Sequence, residues 1–310
     1  MKAIVYDRFG PPGVLELRDV PEPTRSPELV RVRVQAAALN PKDVLLRKGK
    51  LRLLVRGPFP RIPGYDLAGE LLDDANGIAA GSRVYGMIGS GPGGACAEIA
   101  ALPANEIAPA PVGLSTAEAA SLPLAALTAL QALRDELLVK AGQRLLINGA
   151  SGGVGTLAVQ IAKSMGADVA AVCSGRNGEL VTELGADRVI DYTQQRVADQ
   201  RGFDAVFDVY GNLPWAKAQP MLGEHGRYCT TVPGPGSIAR GALRRLQLHR
   251  AALVVVRSRR RDLEHLRRLV ESGQVRPVVD RVLPLAQSRE AHEYLETRRA
   301  RGKVVLDLTV

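Results

Sequence analysis

From Leu29 to Ala37 the chain alternates apolar with polar positions, reading Leu-Val-Arg-Val-Arg-Val-Gln-Ala-Ala. A period of two predicts a β-strand with one wet face. Met1–Tyr6 alternates in the same way, and Pro21, Pro23 and Pro27 make the connection between the two runs irregular. After a proline-rich loop at 58–63, Gly64-Tyr65-Asp66-Leu67-Ala68-Gly69-Glu70-Leu71-Leu72 continues into another strand. Gly81-Ser82-Arg83-Val84-Tyr85-Gly86 enters a further one, and Ala95–Ala101 returns to strand character past the glycine-rich 89–94 loop. One helical start interrupts this series at Asn40-Pro41-Lys42-Asp43, where Pro41 fits a first turn, Asn40 its N-cap, and Asp43 an acid stabilised at a helix start. The first third therefore reads as a small barrel-like, mainly-β domain.

At Ser115 the pattern changes. Ser115 and Glu118 have the spacing of a capping box, and the residues that follow are apolar at helical intervals. From there helices alternate with short aliphatic strands at 144–148, 168–173, 188–190, 205–208, 226–231 and 251–257. That alternation predicts an α/β, doubly wound parallel sheet over 116–266. A helical pattern at 263–272, a strand near 281–283, a helix at 288–298 and a closing strand at 303–309 complete the chain.

The sheet is organised around Leu145–Gly155, an apolar run that ends in a glycine-rich turn and opens onto a helix. Read from Ala150, the turn is A-x-G-x-x-G. In that pattern Gly152 lets the backbone approach a pyrophosphate, and Gly155 lets the helix pack against the strand. A second apolar run, Asp168–Cys173, follows at the distance a βαβ unit requires. Where an NAD site usually places Asp or Glu, this chain reads Ser174-Gly175-Arg176-Asn177. A hydroxyl, a guanidinium and an amide suit a 2′-phosphate, so the expected ligand is NADP(H). The alternative is that Arg176 is a solvated residue at the start of the next helix.

Composition narrows the class. Of 310 residues 46% are hydrophobic and 24% charged, ordinary for a globular protein, and no apolar run reaches the roughly 18 residues of a membrane span. A cytoplasmic enzyme without a membrane segment is the expectation. Cys96, Cys173 and Cys229 lie far apart, and the four histidines show no ligand spacing, so no metal site is expected. The net charge of +9 is concentrated in an arginine cluster over 240–268. Without aromatic residues to stack on bases, that cluster reads as a solvated face rather than a nucleic-acid surface.

Asn40-Pro41-Lys42-Asp43, Pro63–Gly69, Leu122-Pro123 with Thr128-Ala129, Ala150–Gly155 and Arg301-Gly302-Lys303-Val304-Val305-Leu306 together resemble the medium-chain dehydrogenase/reductase superfamily. More narrowly they resemble its zinc-independent quinone oxidoreductase, or zeta-crystallin-like, branch. The resemblance runs nearly end to end, with the motifs in the family's order. It implies a GroES-like catalytic domain built from both termini (1–115 and 267–310), wrapped around an NADP-binding Rossmann domain (116–266), with the active site in the cleft between them. The implied activity is NADPH-dependent reduction of an α,β-unsaturated carbonyl compound or quinone. An enoyl reductase acting on a thioester or polyketide intermediate is the alternative within enzymes. Because superfamily members include lens crystallins and RNA-binding proteins, a non-catalytic NADPH- or RNA-binding protein is the alternative outside them.

Departures from the family pattern are informative. Zinc enzymes of the superfamily carry Gly-His-Glu where this chain has Gly64-Tyr65-Asp66, and a cysteine near Leu39-Asn40. An aromatic found after Asp43 in many quinone reductases is replaced here by Val44-Leu45-Leu46, which tells against the narrower quinone label. By resemblance, Asn40 positions the nicotinamide or donates to the substrate oxygen, and Asp43 orients neighbours. Lys42 stabilises an enolate or acts as a proton donor. Tyr65 either supplies a phenol to the enolate or is a packing aromatic. The cofactor residues implied are Thr128 near the phosphates or ribose, and Ser151, Gly152, Gly153 and Val154 around the pyrophosphate. Ser174, Arg176, Asn177 and Tyr192 fall at the 2′-phosphate, Gly211 on the adenosine and ribose path, and Lys303 in a loop facing the cofactor. A homodimer is expected from the family and from the aliphatic edge strand Leu253-Val254-Val255-Val256.

Overall fold

The computed structural model describes residues 1–53, 55, 57–89, 91–232 and 250–310. The chain divides into two compact units: Met1–Leu124 with Arg257–Gly273 and Pro277–Val310, and Ala125–Val256 with Gln274–Arg276. Strands are numbered along the chain.

In the first unit β1 (Lys2–Val5) pairs with β2 (Glu16–Asp19) as a small antiparallel ribbon. The main sheet is built on β3 (Val30–Leu39), the alternating stretch, whose inward Val30, Val32 and Val34 are buried. Antiparallel to it run β4 (Asp66–Leu71) and the C-terminal β15 (Lys303–Asp307). β5 (Arg83–Met87) and β7 (Ile107–Pro109) extend the sheet on one side and β14 (Val279–Pro284) on the other, while β6 (Ile99–Leu102) also pairs with β3. The strand expected over 95–101 starts only at Ile99. Ala95 and Cys96 instead donate their N–H groups to the carbonyls of Gly64 and Pro63, which takes them out of the ladder. Helix α1 (Pro41–Arg47) follows β3 directly, and α2 (Thr116–Ala120) begins at the expected capping box. There Ser115 Oγ accepts from Glu118 N–H at 3.2 Å, and the Glu118 carboxylate accepts from Ser115 N–H at 2.8 Å. Loss of such a cap costs about 1 kcal/mol. For Ser115→Ala we expect a melting temperature about 2–4 °C lower, read by calorimetry.

The second unit holds a six-stranded parallel sheet. Its strands are β8 (Arg144–Asn148), β9 (Asp168–Cys173), β10 (Arg188–Asp191), β11 (Phe203–Asp208), β12 (Leu222–Thr230) and β13 (Ala251–Leu253). Their spatial order is β10-β9-β8-β11-β12-β13, so the order reverses between β8 and β11. Leu146, Val172, Ile190, Val206 and Tyr228 form one buried layer across it. The last strand is shorter than the expected 251–257: after Val256 the chain joins the first unit, and Val255 is 67% exposed. The arginine cluster is divided. Arg240, Arg244 and Arg245 fall outside the described residues, whereas Arg260 and Arg267 lie on the Arg260–Glu271 helix and pair four residues on with Glu264 and Glu271. No helix among the described residues is long and apolar enough to cross a membrane.

Candidate functional site

All strands of the second unit's sheet run parallel, so their C-terminal ends share one edge. The turn after β8 lies at the point where the strand order reverses, the position at which open α/β sheets bind ligands. It leads into α4 (Gly153–Ser164), which is N-capped by Gly152 without a side-chain cap and has no acid in its first turn. The N–H groups of that turn are thus available to an anion. Among the described residues, a Cβ placed on Gly152 would meet only Gly149 O, at 3.6 Å, so the backbone there is open to close approach. Gly155 is the opposite case: a Cβ would stand 2.1 Å from Gly149 O and 2.7 Å from Ala150 Cα, because helix and turn are in contact.

Past β9, Ser174 is half-buried, Arg176 exposed and Asn177 buried. Asn177 Nδ2 donates to Ser151 Oγ at 2.9 Å, tying this turn to the glycine turn, and Asn177 Oδ1 is buried without a hydrogen-bond partner among the described residues. Asp191, at the end of β10, accepts from Thr193 N–H and Oγ–H at 2.9 and 2.8 Å. These bonds, with one from the Gly175 N–H, hold its carboxyl below the usual range. Tyr192 follows it, 58% exposed. Past β11, Asp208 is buried and accepts from Asn148 Nδ2, Gly211 N–H and Leu213 N–H at 2.7, 2.9 and 2.9 Å. This fixes the 210–212 turn next to the glycine turn. Asp208 and Asn148 were not expected from sequence, although a polar residue closing an apolar strand is a usable signal. Thr128 is buried on helix α3 (Pro123–Gln131). An uncapped helix start, an open glycine, an orphaned amide oxygen and a guanidinium along one sheet edge fit a dinucleotide.

The first unit gathers a second cluster. Asn40 begins α1, and its N–H donates to Asp43 Oδ2 at 2.8 Å, while Asp43 Oδ1 accepts from Gly64 N–H at 2.9 Å. Burial pushes the Asp43 carboxyl up to about 6 despite these two bonds. Lys42, one residue earlier, lies with Nζ 3.5 Å above the Tyr65 ring and makes no ion pair among the described residues. Desolvation lowers its ammonium below the usual lysine value. The Tyr65 ring is buried, and its O–H, the phenol's one donor, goes to Gly91 O at 2.7 Å. The packing account of Tyr65 is the one this geometry carries. Lys303 differs from its expected place in a loop: it is the first residue of β15, 5% exposed, with Nζ bonded to Asn40 Oδ1 at 2.5 Å and paired with Asp66 Oδ2 at 3.0 Å. Strand pairing with β3, which brings Val304 opposite Leu39, buries it there. Asp66 was not among the expected site residues. Its signal was its place in Gly64-Tyr65-Asp66, where zinc enzymes have Gly-His-Glu.

Two family models match the chain: the alcohol dehydrogenase GroES-like domain over residues 26–112, and zinc-binding dehydrogenase over residues 184–306. The chloroplast envelope quinone oxidoreductase homolog of Arabidopsis thaliana is 34% identical, over 99% of this chain and 98% of that protein. The chloroplastic NADPH-dependent alkenal/one oxidoreductase of the same plant is 37% identical, over 99% of this chain and 79% of that protein. The solved structure of the quinone oxidoreductase from Coxiella burnetii matches with a TM-score of 0.88 at 34% identity, over 99% of both chains. A GroES-like unit and a Rossmann unit with these features define a medium-chain dehydrogenase/reductase, an NAD(P)-dependent oxidoreductase. Within that superfamily the chain belongs to the quinone oxidoreductase, zeta-crystallin-like branch. No group of three His, Cys, Asp or Glu able to hold a metal occurs among the described residues. At the motif positions stand an asparagine, a tyrosine bonded to a carbonyl and a lysine-paired aspartate, a donor set that does not fit zinc.

Proposed function

We propose that this protein is an NADPH-dependent reductase of α,β-unsaturated carbonyl compounds or quinones that works without zinc. The observation that carries the reading is Lys42: a desolvated ammonium over an aromatic face, without a carboxylate partner among the described residues, is a cation suited to an oxygen that becomes negative. When bound, NADPH would supply a hydride for the electron-poor carbon, and the electron pair of the C=C bond would then reside on the conjugated oxygen. Lys42 stabilises that oxygen, and its lowered affinity for protons makes it, with water, a source for the proton that completes reduction. Tyr65 supports the ammonium from below. Asn40 and Asp43 hold the start of α1, and thereby the backbone next to Lys42, and the Asn40 side chain faces the nicotinamide or the substrate, as the family resemblance implies.

For the cofactor we propose that Ser151–Val154 receive the diphosphate, that Ser174, Arg176, Asn177 and Tyr192 meet the 2′-phosphate, and that Thr128 and Gly211 border the riboses. The test is NADPH oxidation with a quinone, a short enone, an enal and an enoyl thioester as acceptors, and NADH as the parallel donor. Charge-assisted hydrogen bonds contribute about 1.5–3 kcal/mol. Arg176→Ala should therefore raise the KM for NADPH by on the order of 10- to 100-fold and leave that for NADH unchanged. Equal loss with both donors would remove the 2′-phosphate assignment, and no turnover with any acceptor would remove the reductase. We also propose a homodimer through the β13 edge; a monomeric mass in light scattering at micromolar concentration would exclude it.

A further inference from the structure

Asn40, Asp66 and Lys303 bond to one another inside the first unit, and the donors can be counted. An asparagine amide has two N–H donors and an oxygen with two lone pairs. Asn40 Nδ2 donates to Asp66 Oδ2 at 3.0 Å and to Ala38 O at 3.3 Å, and Oδ1 accepts from Lys303 Nζ at 2.5 Å. Both donors are taken, so any further bond to the amide must be accepted by Oδ1, which the Asp43 N–H of the capping box also faces. Its orientation is dictated, since a flipped amide would turn NH2 towards the lysine ammonium and oxygen towards the Asp66 carboxylate. Asp66 is itself held, with Oδ1 accepting from Leu124 N–H at 2.6 Å. All three side chains are at most 5% exposed. Removing either charge would leave the other buried and uncompensated.

We infer that Asp66 and Lys303 are positioning residues that hold Asn40 as a hydrogen-bond acceptor, not a donor, at the reacting centre. The inference rests on the reading that Asn40 faces the nicotinamide or the substrate. It corrects the option of a donor to the substrate oxygen, and it gives Lys303 a task other than contact with the phosphates.

The decisive variant exchanges the two polar groups, Asn40→Asp with Asp66→Asn. The exchange keeps one carboxylate, one amide and Lys303, and leaves position 40 able to accept but not to donate. Asp66→Asn and Lys303→Met alone should each lower kcat on the order of 10- to 100-fold, with a smaller change in the KM for NADPH. The exchange should restore kcat to within about 10-fold of the wild-type value, which independent single effects would not allow. The inference is overturned if the exchanged protein melts like the wild type and binds NADPH, yet turns over no faster than Asn40→Ala. It is overturned equally if Asp66→Asn and Lys303→Met retain wild-type kcat. Wild-type kcat in Asn40→Ala is a different failure: it takes Asn40 away from the reacting centre and removes the reading beneath the inference.

Discussion

Replacing Gly155 by alanine should weaken NADPH binding on the order of 100-fold and lower the melting temperature together. The alanine Cβ would lie 2.1 Å from Gly149 O and 2.7 Å from the Ala150 backbone, and neither contact can be relieved by a rotamer. Helix α4 must move away from the turn, at a cost of about 1–3 kcal/mol for overpacking. On the proposed assignment, the same movement takes its first N–H groups off the diphosphate. Gly152→Ala is the informative partner. Gly152 has φ −86°, which any residue adopts, and among the described residues its Cβ would meet one atom, at 3.6 Å. That variant should melt like the wild type and lose affinity alone. Calorimetry with a fluorescence titration of NADPH reads both quantities, and undiminished binding in Gly155→Ala would exclude the turn as the diphosphate site.

Acid should destabilise the wild type relative to a His292→Leu variant. His292 is fully buried on the Ser288–Glu296 helix, and neither ring nitrogen has a hydrogen-bond partner among the described residues. Burial, with the nearby Arg47 charge, pushes its pKa down to about 3 from the 6.5 of an exposed histidine. Between those values the unfolded chain binds the proton and the folded protein does not, so this histidine's stabilising effect is complete above pH 6.5 and falls as pH is lowered. The slope is about 1.4 kcal/mol per pH unit. Asp43, raised to about 6 from 3.8, acts in the opposite sense: its folded form keeps the proton longer, so ionisation destabilises as pH rises through that window. Because the two oppose each other in the wild type, the readout is the difference in unfolding free energy between wild type and His292→Leu. That difference should shift in favour of the variant from pH 6.5 downwards. A difference constant from pH 7 to pH 4.5 would show that His292 titrates alike in both states.

What was legible in the chain was what neighbours in sequence decide. The alternation at 29–37, the capping box at Ser115 and the strand-turn-helix at 145–164 each follow from contacts within a few residues, and each forms as read. The parallel sheet was legible for a related reason, since aliphatic strands alternating with helices have few other ways to bury their faces. The first unit's cluster was legible only in part. Asn40 and Asp43 announce themselves as a helix start, and Lys42 sits between them. That Lys303 closes on Asn40 depends on β15 lying antiparallel to β3 across 263 residues, and the local Arg-Gly-Lys-Val pattern is equally compatible with an exposed turn. The phenol of Tyr65 was likewise undecided until the Gly91 carbonyl stood opposite it, because a tyrosine after a glycine does not reveal where its O–H goes.

The path of the chain through the first unit has a bearing on its synthesis. β15 is an interior strand, between β14 and β3, and it is contributed by residues made long after β3 itself. Everything on its far side in that sheet, from β3 to β7, is made before residue 110, with the whole Ala125–Val256 unit in between. The nascent first unit therefore waits, with Ala36–Leu39 of β3 unpaired on one side and Asp66 without its lysine, until residue 303 and its strand have been made. The polar cluster is therefore completed only after the second unit has been synthesised, and a chain truncated before Lys303 would carry Asp66 as a buried, uncompensated charge.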